Sequence, residues 1–181
     1  MTVHSEVLDL LVNTMIMGNY EAWTKDVRYG VRISSKIINK MLDSCRKSND
    51  IETGGILVGY YNRSHDCAIV IDCSDPPKDS KHGRNYFHRG IQGLQNWIDT
   101  LWNRGHKRYY LGEWHYHPFA KPEPSSIDVK QMKRNAEDKS YNCPEPIMLI
   151  IGGDLSDGYS LRAFVCAKER NVSELFKGWK K

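Results

Sequence analysis

The sequence predicts a mixed α/β domain, and three observations carry that expectation. Strand-length runs of apolar, β-branched and aromatic residues recur at 54–61, 67–72, 147–151 and 159–165. Other segments carry their apolar residues at helical spacing and alternate with these runs along the chain. The whole measures 181 residues with 40% hydrophobic content, the size of one domain and enough to bury a core.

Each element has its own signature. Val7, Leu8, Leu11 and Met15 fall at helical spacing and predict an appended helix over 5–17, with a break at 18–21 before the main domain. Tyr29, Val31 and Ile33 alternate as in a half-buried strand, and Ser34 or Ser35 then caps a helix whose stripe is Ile37, Ile38, Met41, Leu42 and Cys45. That helix is expected to pack on the sheet. Glu52 follows a polar turn and opens the 54–61 run, which Asn62-Arg-Ser-His65 joins to 67–72 as a hairpin. Residues 76–90 read as a long polar loop with Tyr86 and Phe87 embedded, a surface connection by default and a substrate-contact segment on the functional reading. Ile91, Leu94, Trp97, Ile98, Leu101 and Trp102 predict a second helix ending near Gly105, its tryptophans in the core. Residues 108–117 are aromatic-rich, free of internal proline and read as a strand; Ser125 then begins a helix through Val129, Met132 and Ala136. The continuous apolar run 147–151 suits a central strand buried on both faces, and 159–165 alternates. The tail beyond Ala167 is basic and weakly patterned.

Composition excludes several classes. A net charge of +4 with scattered basic residues lacks the stripe expected of a nucleic-acid binder. Five cysteines form an odd set without C-x-x-C, which reads as reduced thiols in a cytoplasmic protein. The run 7–12 is interrupted by Asp9 and follows acidic rather than basic residues, so it is not expected to be a signal peptide, and no stretch approaches the ~20 apolar residues of a membrane span. H-E-x-x-H, G-x-S-x-G, P-loop and Rossmann patterns are missing, as are the H-x-E and P-C-x-x-C of nucleobase deaminases.

The chemistry concentrates in Gly112-Glu-Trp-His-Tyr-His-Pro followed by Pro124-Ser-Ser-Ile-Asp128. Alternate side chains of a strand share a face, so His115 and His117 project together about 7 Å apart. Pro118 ends the strand, and Asp128 falls in the first turn of the helix that Ser125 caps. Singly, a histidine on a strand is most often a core residue and S-x-x-D most often a capping box. Together they offer two ring nitrogens and one carboxylate, three protein ligands with one position left over, the pattern of a catalytic rather than a structural zinc. Glu113 shares the face of His115 and is expected to support the ligands from behind rather than to ligate. Gly54 and Gly55, lacking Cβ, would let another backbone or a ligand come close to the strand that Glu52 opens.

His115-x-His117-Pro118, then Ser125-x-x-Asp128, with Glu52-Thr-Gly-Gly-Ile-Leu-Val-Gly59 upstream, resembles the signature of the JAMM (JAB1/MPN) metalloprotease family, over roughly residues 31–165. Within it, the Gly-Glu-Trp-His context is similar to the short bacterial members that serve as deconjugating peptidases of anti-phage CBASS operons. The resemblance implies a single-domain JAB1/MPN-like fold, a central mixed curved sheet flanked by helices, spanning residues 27–167 between an N-terminal helical extension (1–26) and a basic C-terminal tail (168–181).

It also implies roles. Zn2+ held by His115, His117 and Asp128 would lower the pKa of a water from ~16 toward ~7; Glu52 would move the proton as general base and then acid; Ser125 would donate to the oxyanion. Family members cut isopeptide or peptide bonds after the C-terminal tail of a ubiquitin-like protein. The CBASS-type reading makes the substrate a CD-NTase-type nucleotidyltransferase conjugated through its own tail. A processing peptidase for a bacterial ubiquitin-like protein is the alternative. A non-catalytic MPN scaffold would be expected to have lost a ligand, and a RadC-like DNA-associated protein to carry a helix-hairpin-helix segment.

Overall fold

The computed structural model describes residues 18–103 and 107–178, so the expected helix over 5–17 lies outside the described residues. Eight strands close into a barrel in the order β1 (Tyr20–Trp23), β10 (Ser173–Lys177), β9 (Gly158–Val165), β8 (Ile147–Asp154), β7 (Tyr109–Pro118), β3 (Thr53–Tyr61), β4 (Cys67–Cys73) and β2 (Gly30–Ile33), with β2 returning to β1. The sheet is mixed, as expected: β2 with β4 and β7 with β8 run parallel, and the other pairs antiparallel. Closure leaves no open edge on the ring.

The two strands that close it, β1 and β10, fall where the sequence suggested an extension and a tail. Neither Tyr-Glu-Ala-Trp nor Ser-Glu-Leu-Phe-Lys contains a Val or Ile, and each is too short to show a period. They become strands because pairing with each other and with their neighbours satisfies their backbones and buries Ala22 and Leu175 inside. Boundaries at 26 and 168 therefore cut through the barrel.

The interior joins Val31, Leu57, Leu111, Trp114 and Leu149 to the stripe Ile37, Ile38, Met41, Leu42 and Cys45 of α1 (Ser35–Lys47), which Ser34 precedes at the N-cap position without a capping hydrogen bond from its side chain. Each fully buried side chain of this kind contributes on the order of 2 kcal/mol. The other two helices cover the outside. α2 (Leu94–Asn103) lies over Ile56, Val58 and Tyr110, and α3 (Ser126–Glu137) seats Met132 on Met148, Ile150 and Phe164. The tryptophans of α2 are not core: Trp97 is half-buried and Trp102 is 41% exposed, because this helix rests on the barrel with nothing over its far side among the described residues. The 76–90 segment is likewise no plain loop. It folds into a two-stranded ribbon, β5 (Lys81–Gly83) and β6 (Tyr86–His88), whose base is pinned where Asp79 accepts from the Ile91 and Gln92 amides and Ser80 Oγ from Gly90.

One irregularity sets the direction of β7. Val58 pairs with Tyr110 but Leu57 with Gly112, so Leu111 is an extra residue, a β-bulge. In a regular strand, residues three apart face opposite sides. Beyond the bulge the parity is reversed, and Tyr110 shares the outer face with Glu113, to whose Oε1 it donates at 3.3 Å. Trp114 and Tyr116 turn inward, the indole donating to the Ser74 carbonyl at 3.0 Å, while Glu113, His115 and His117 turn outward under the helices. Gly112 permits this with φ +143°, where a Cβ would also meet the Ile147 carbonyl. Gly112→Ala is therefore expected to lose ~1–3 kcal/mol from backbone strain alone, with the collision added, measured as a lower denaturant midpoint; an unchanged midpoint would contradict this account of the bulge.

Candidate metal centre

The outward row of β7 is buried although it is polar: Glu113 is 1%, His115 4% and His117 8% exposed. Asp128 reaches it from α3 because Ser125, Pro124 and the preceding turn bring the helix N-terminus back to the end of β7. The capping box is real, with Ser125 Oγ accepting from the Asp128 amide at 3.2 Å and Asp128 Oδ2 accepting from the Ser125 amide at 2.7 Å. That same contact aims the carboxylate. Oδ1 lies 3.0 Å from His115 Nδ1 and Oδ2 3.7 Å from His117 Nε2. One donor atom from each of His115, His117 and Asp128 lies within 4.8 Å of the others, the one such group of three or more His, Cys, Asp or Glu among the described residues.

These residues fit a divalent cation. His115 Nδ1 is fully buried yet makes no hydrogen bond, its 3.0 Å approach to Asp128 being off-axis. An orphaned ring nitrogen beside a carboxylate is what a cation would satisfy. Burial pulls the His115 imidazole down, but Asp128 and Glu113 outweigh it and push it up to about 9. Burial raises the Asp128 carboxyl, and His115 with Ser125 outweigh that to hold it well below the usual carboxylate range. His117 is lowered, chiefly by burial. Positive charge is thus favoured between Asp128 and His115, while burial favours a neutral His117 ring whose nitrogen can ligate.

Glu52 sits one residue before β3. Gly54 pairs with His115 and Thr53 with Tyr116, so the register continues to place Glu52 opposite His117. Its backbone is held by the ribbon, the amide donating to the Gly83 carbonyl and the carbonyl meeting His82 Nδ1, both at 3.0 Å. The carboxyl is half-buried, and burial with the Asp128 charge pushes it up to about 7 against a lowering by His115. Gly54 makes room for the protein itself: a Cβ there would meet the Trp114 carbonyl and the Phe87 ring, which stands edge-on to His115 at 5.6 Å.

Sequence reasoning put Glu113 behind His115 but missed the residues that hold it there. Glu113 Oε1 accepts from Arg89 Nε at 2.9 Å, Asn135 Nδ2 at 2.8 Å and the Tyr110 hydroxyl, while Arg89 Nη2 reaches the Tyr141 hydroxyl at 3.0 Å. Asn135 was legible in principle, since Asp128, Met132 and Asn135 follow at four and three residues along one helix face. Arg89 carried no local signal. A cleft of about 430 Å³ opens on His115 and Asp128 between ribbon and α3, walled by Phe87, Arg89, Ile127 and Gln131. No helix among the described residues is long and apolar enough to cross a membrane.

Comparison with known proteins shows the family. Residues 34–167 match the family model described as prokaryotic homologs of the JAB domain. A "CD-NTase/cGAS isopeptidase" of Enterobacter hormaechei is 42% identical over 137 residues, covering 76% of this chain and 75% of that protein. A protein of the same name from Escherichia coli is 33% identical over 67% of this chain and 76% of its own length, and a "Probable metalloprotease y4qB" of Sinorhizobium fredii is 27% identical over 67% and 74%. The solution structure of protein DSY2949 from Desulfitobacterium hafniense shares the fold with a TM-score of 0.52 at 23% identity, over 77% of this chain and 85% of that one. With that model matching well over half its length, the chain belongs to the prokaryotic JAB-domain family.

Proposed function

We propose that this protein is a zinc-dependent isopeptidase that releases a CD-NTase-type nucleotidyltransferase from proteins to which its C-terminal tail has been joined. The convergence of His115, His117 and Asp128 beside Glu52 carries the reading, and the names of the relatives support the substrate. The two nitrogens and one carboxylate would hold Zn2+, which when bound supplies the Lewis acidity that makes water a nucleophile at neutral pH.

The chain's own residues do the rest. Glu52, whose carboxyl is poised near neutrality, takes a proton from the attacking water and returns it to the leaving lysine amine as the amide bond breaks. Ser125 uses only its oxygen lone pair in the cap, so its O–H is free to donate to the developing oxyanion. Asp128 stays ionised and pinned by the Ser125 amide, and Phe87 keeps water from one edge of His115. The exposed Ile127 lines the cleft beside Asp128 and suits contact with an extended tail.

Four outcomes are expected. Purified protein should contain one equivalent of zinc, lost in His117→Ala and Asp128→Ala; iron in its place, or equal near-zero metal in all three, counts against the assignment. Glu52→Gln should retain metal and fold yet lose ~10²–10⁴-fold in kcat. The native enzyme should lose activity as pH falls through the Glu52 ionisation, because a protonated carboxyl cannot accept; a bound cation lowers that pKa, so this acid limb should lie at or below about pH 7. Ser125→Ala should cost ~1 kcal/mol of stability through the cap and, separately, ~10²–10³ in kcat; a lowered Tm with unchanged kcat would leave Ser125 a cap alone. Substrate is settled by offering a conjugated nucleotidyltransferase tail and a ubiquitin-like tail side by side and reading which is released.

A further inference from the structure

Arg89 lies at the end of the ribbon, outside the metal ligands and Glu52, and is 7% exposed at its side chain. Its guanidinium faces one carboxylate oxygen: Nε at 2.9 Å and Nη2 at 2.8 Å both meet Glu113 Oε1. Asn135 Nδ2 and the Tyr110 hydroxyl converge on the same oxygen at 2.8 Å and 3.3 Å. Oε1 is thereby saturated. Oε2 is left with one neighbour, His115 Nε2 at 3.5 Å. A ring whose Nε2 carries the hydrogen toward Glu113 has its lone pair on Nδ1, the nitrogen that faces Asp128.

We infer that Arg89 is a positioning residue for the metal centre: by holding Glu113 turned so that only Oε2 faces His115 Nε2, it fixes the ring orientation that directs Nδ1 toward Asp128, where it can ligate. A carboxylate 1% exposed needs a counter-charge, and Arg89 is the Arg or Lys whose side chain contacts it among the described residues. The neutral donors Tyr110 and Asn135 could orient the carboxylate but not balance its charge. The inference rests on the metal reading above. It also ties the ribbon to the centre twice, through Arg89 to Glu113 and through Gly83 and His82 to the Glu52 backbone.

The test is metal binding rather than turnover. Apo protein is titrated with Co2+, affinity is measured against a chelator, and the visible absorption of the bound ion reports ligand geometry; circular dichroism and Tm are recorded on the same apo samples. Arg89→Met is expected to fold, to bind Co2+ ~10–100-fold more weakly and to change its absorption band. Arg89→Lys keeps a cation beside Glu113 and should retain Co2+ affinity within tenfold of native. A folded Arg89→Met with native affinity and spectrum overturns the inference, as does an Arg89→Lys that binds as weakly as a folded Arg89→Met. Should Arg89→Met fail to fold, an Arg89→Lys within tenfold of native sustains the inference and a weaker one overturns it; failure of both to fold makes Arg89 a scaffold residue and overturns it. A native chain that binds no Co2+ removes the metal reading itself, which is distinguishable from native binding left unchanged by Arg89→Met.

Discussion

The pairing of β3 and β7 slips by one residue at Leu111, and every polar side chain that matters beyond it faces outward as a result. Had the strand stayed regular, the residues now pointing into the barrel and those now pointing under the helices would have exchanged places. Trp114 and Tyr116 would then face the helices, and Glu113, His115 and His117 would sit in an apolar interior without partners. The bulge is bought with a glycine at φ +143° pressed against β8. From this one feature follow the direction of the histidines, the reach of Tyr110 to Glu113, and the need for α3 to arrive on the outer surface.

Local structure and proposed chemistry coincide at the start of α3. A capping box and a metal ligand are usually competing explanations for S-x-x-D, yet here the box is the means by which Asp128 is aimed. The Ser125 amide holds Oδ2, and the free direction of the carboxylate is toward the two imidazoles. The helix N-terminus also favours the negative charge. Among the fully buried side-chain nitrogens and oxygens of the described residues, His115 Nδ1 is the one left without a hydrogen-bond partner.

The ribbon shows how non-local the surroundings of a site are. Residues 76–90 supply nothing that a spacing rule would select, but in the folded chain they support the Glu52 backbone, cover one edge of His115 with Phe87 and send Arg89 behind the centre. Trp114 is the opposite case. Its neighbours in sequence are the histidines, and the alternation of the strand sends it to the core.

What the sequence determined by itself was whatever depends on short-range periodicity: the strand carrying His115 and His117, the cap at Ser125, the stripe of α1 and the buried run of β8 were all legible, because two-residue and 3.6-residue repeats write themselves into adjacent positions. The family resemblance added Glu52. Tertiary structure alone decided that β1 and β10 close the ring, that the tryptophans of α2 stay shallow, and that Arg89, Tyr110 and Tyr141 meet around Glu113. These depend on pairing and packing between segments distant along the chain, where a strand of four or five residues has no period to read and a lone arginine in a loop has no neighbour in sequence to announce its partner.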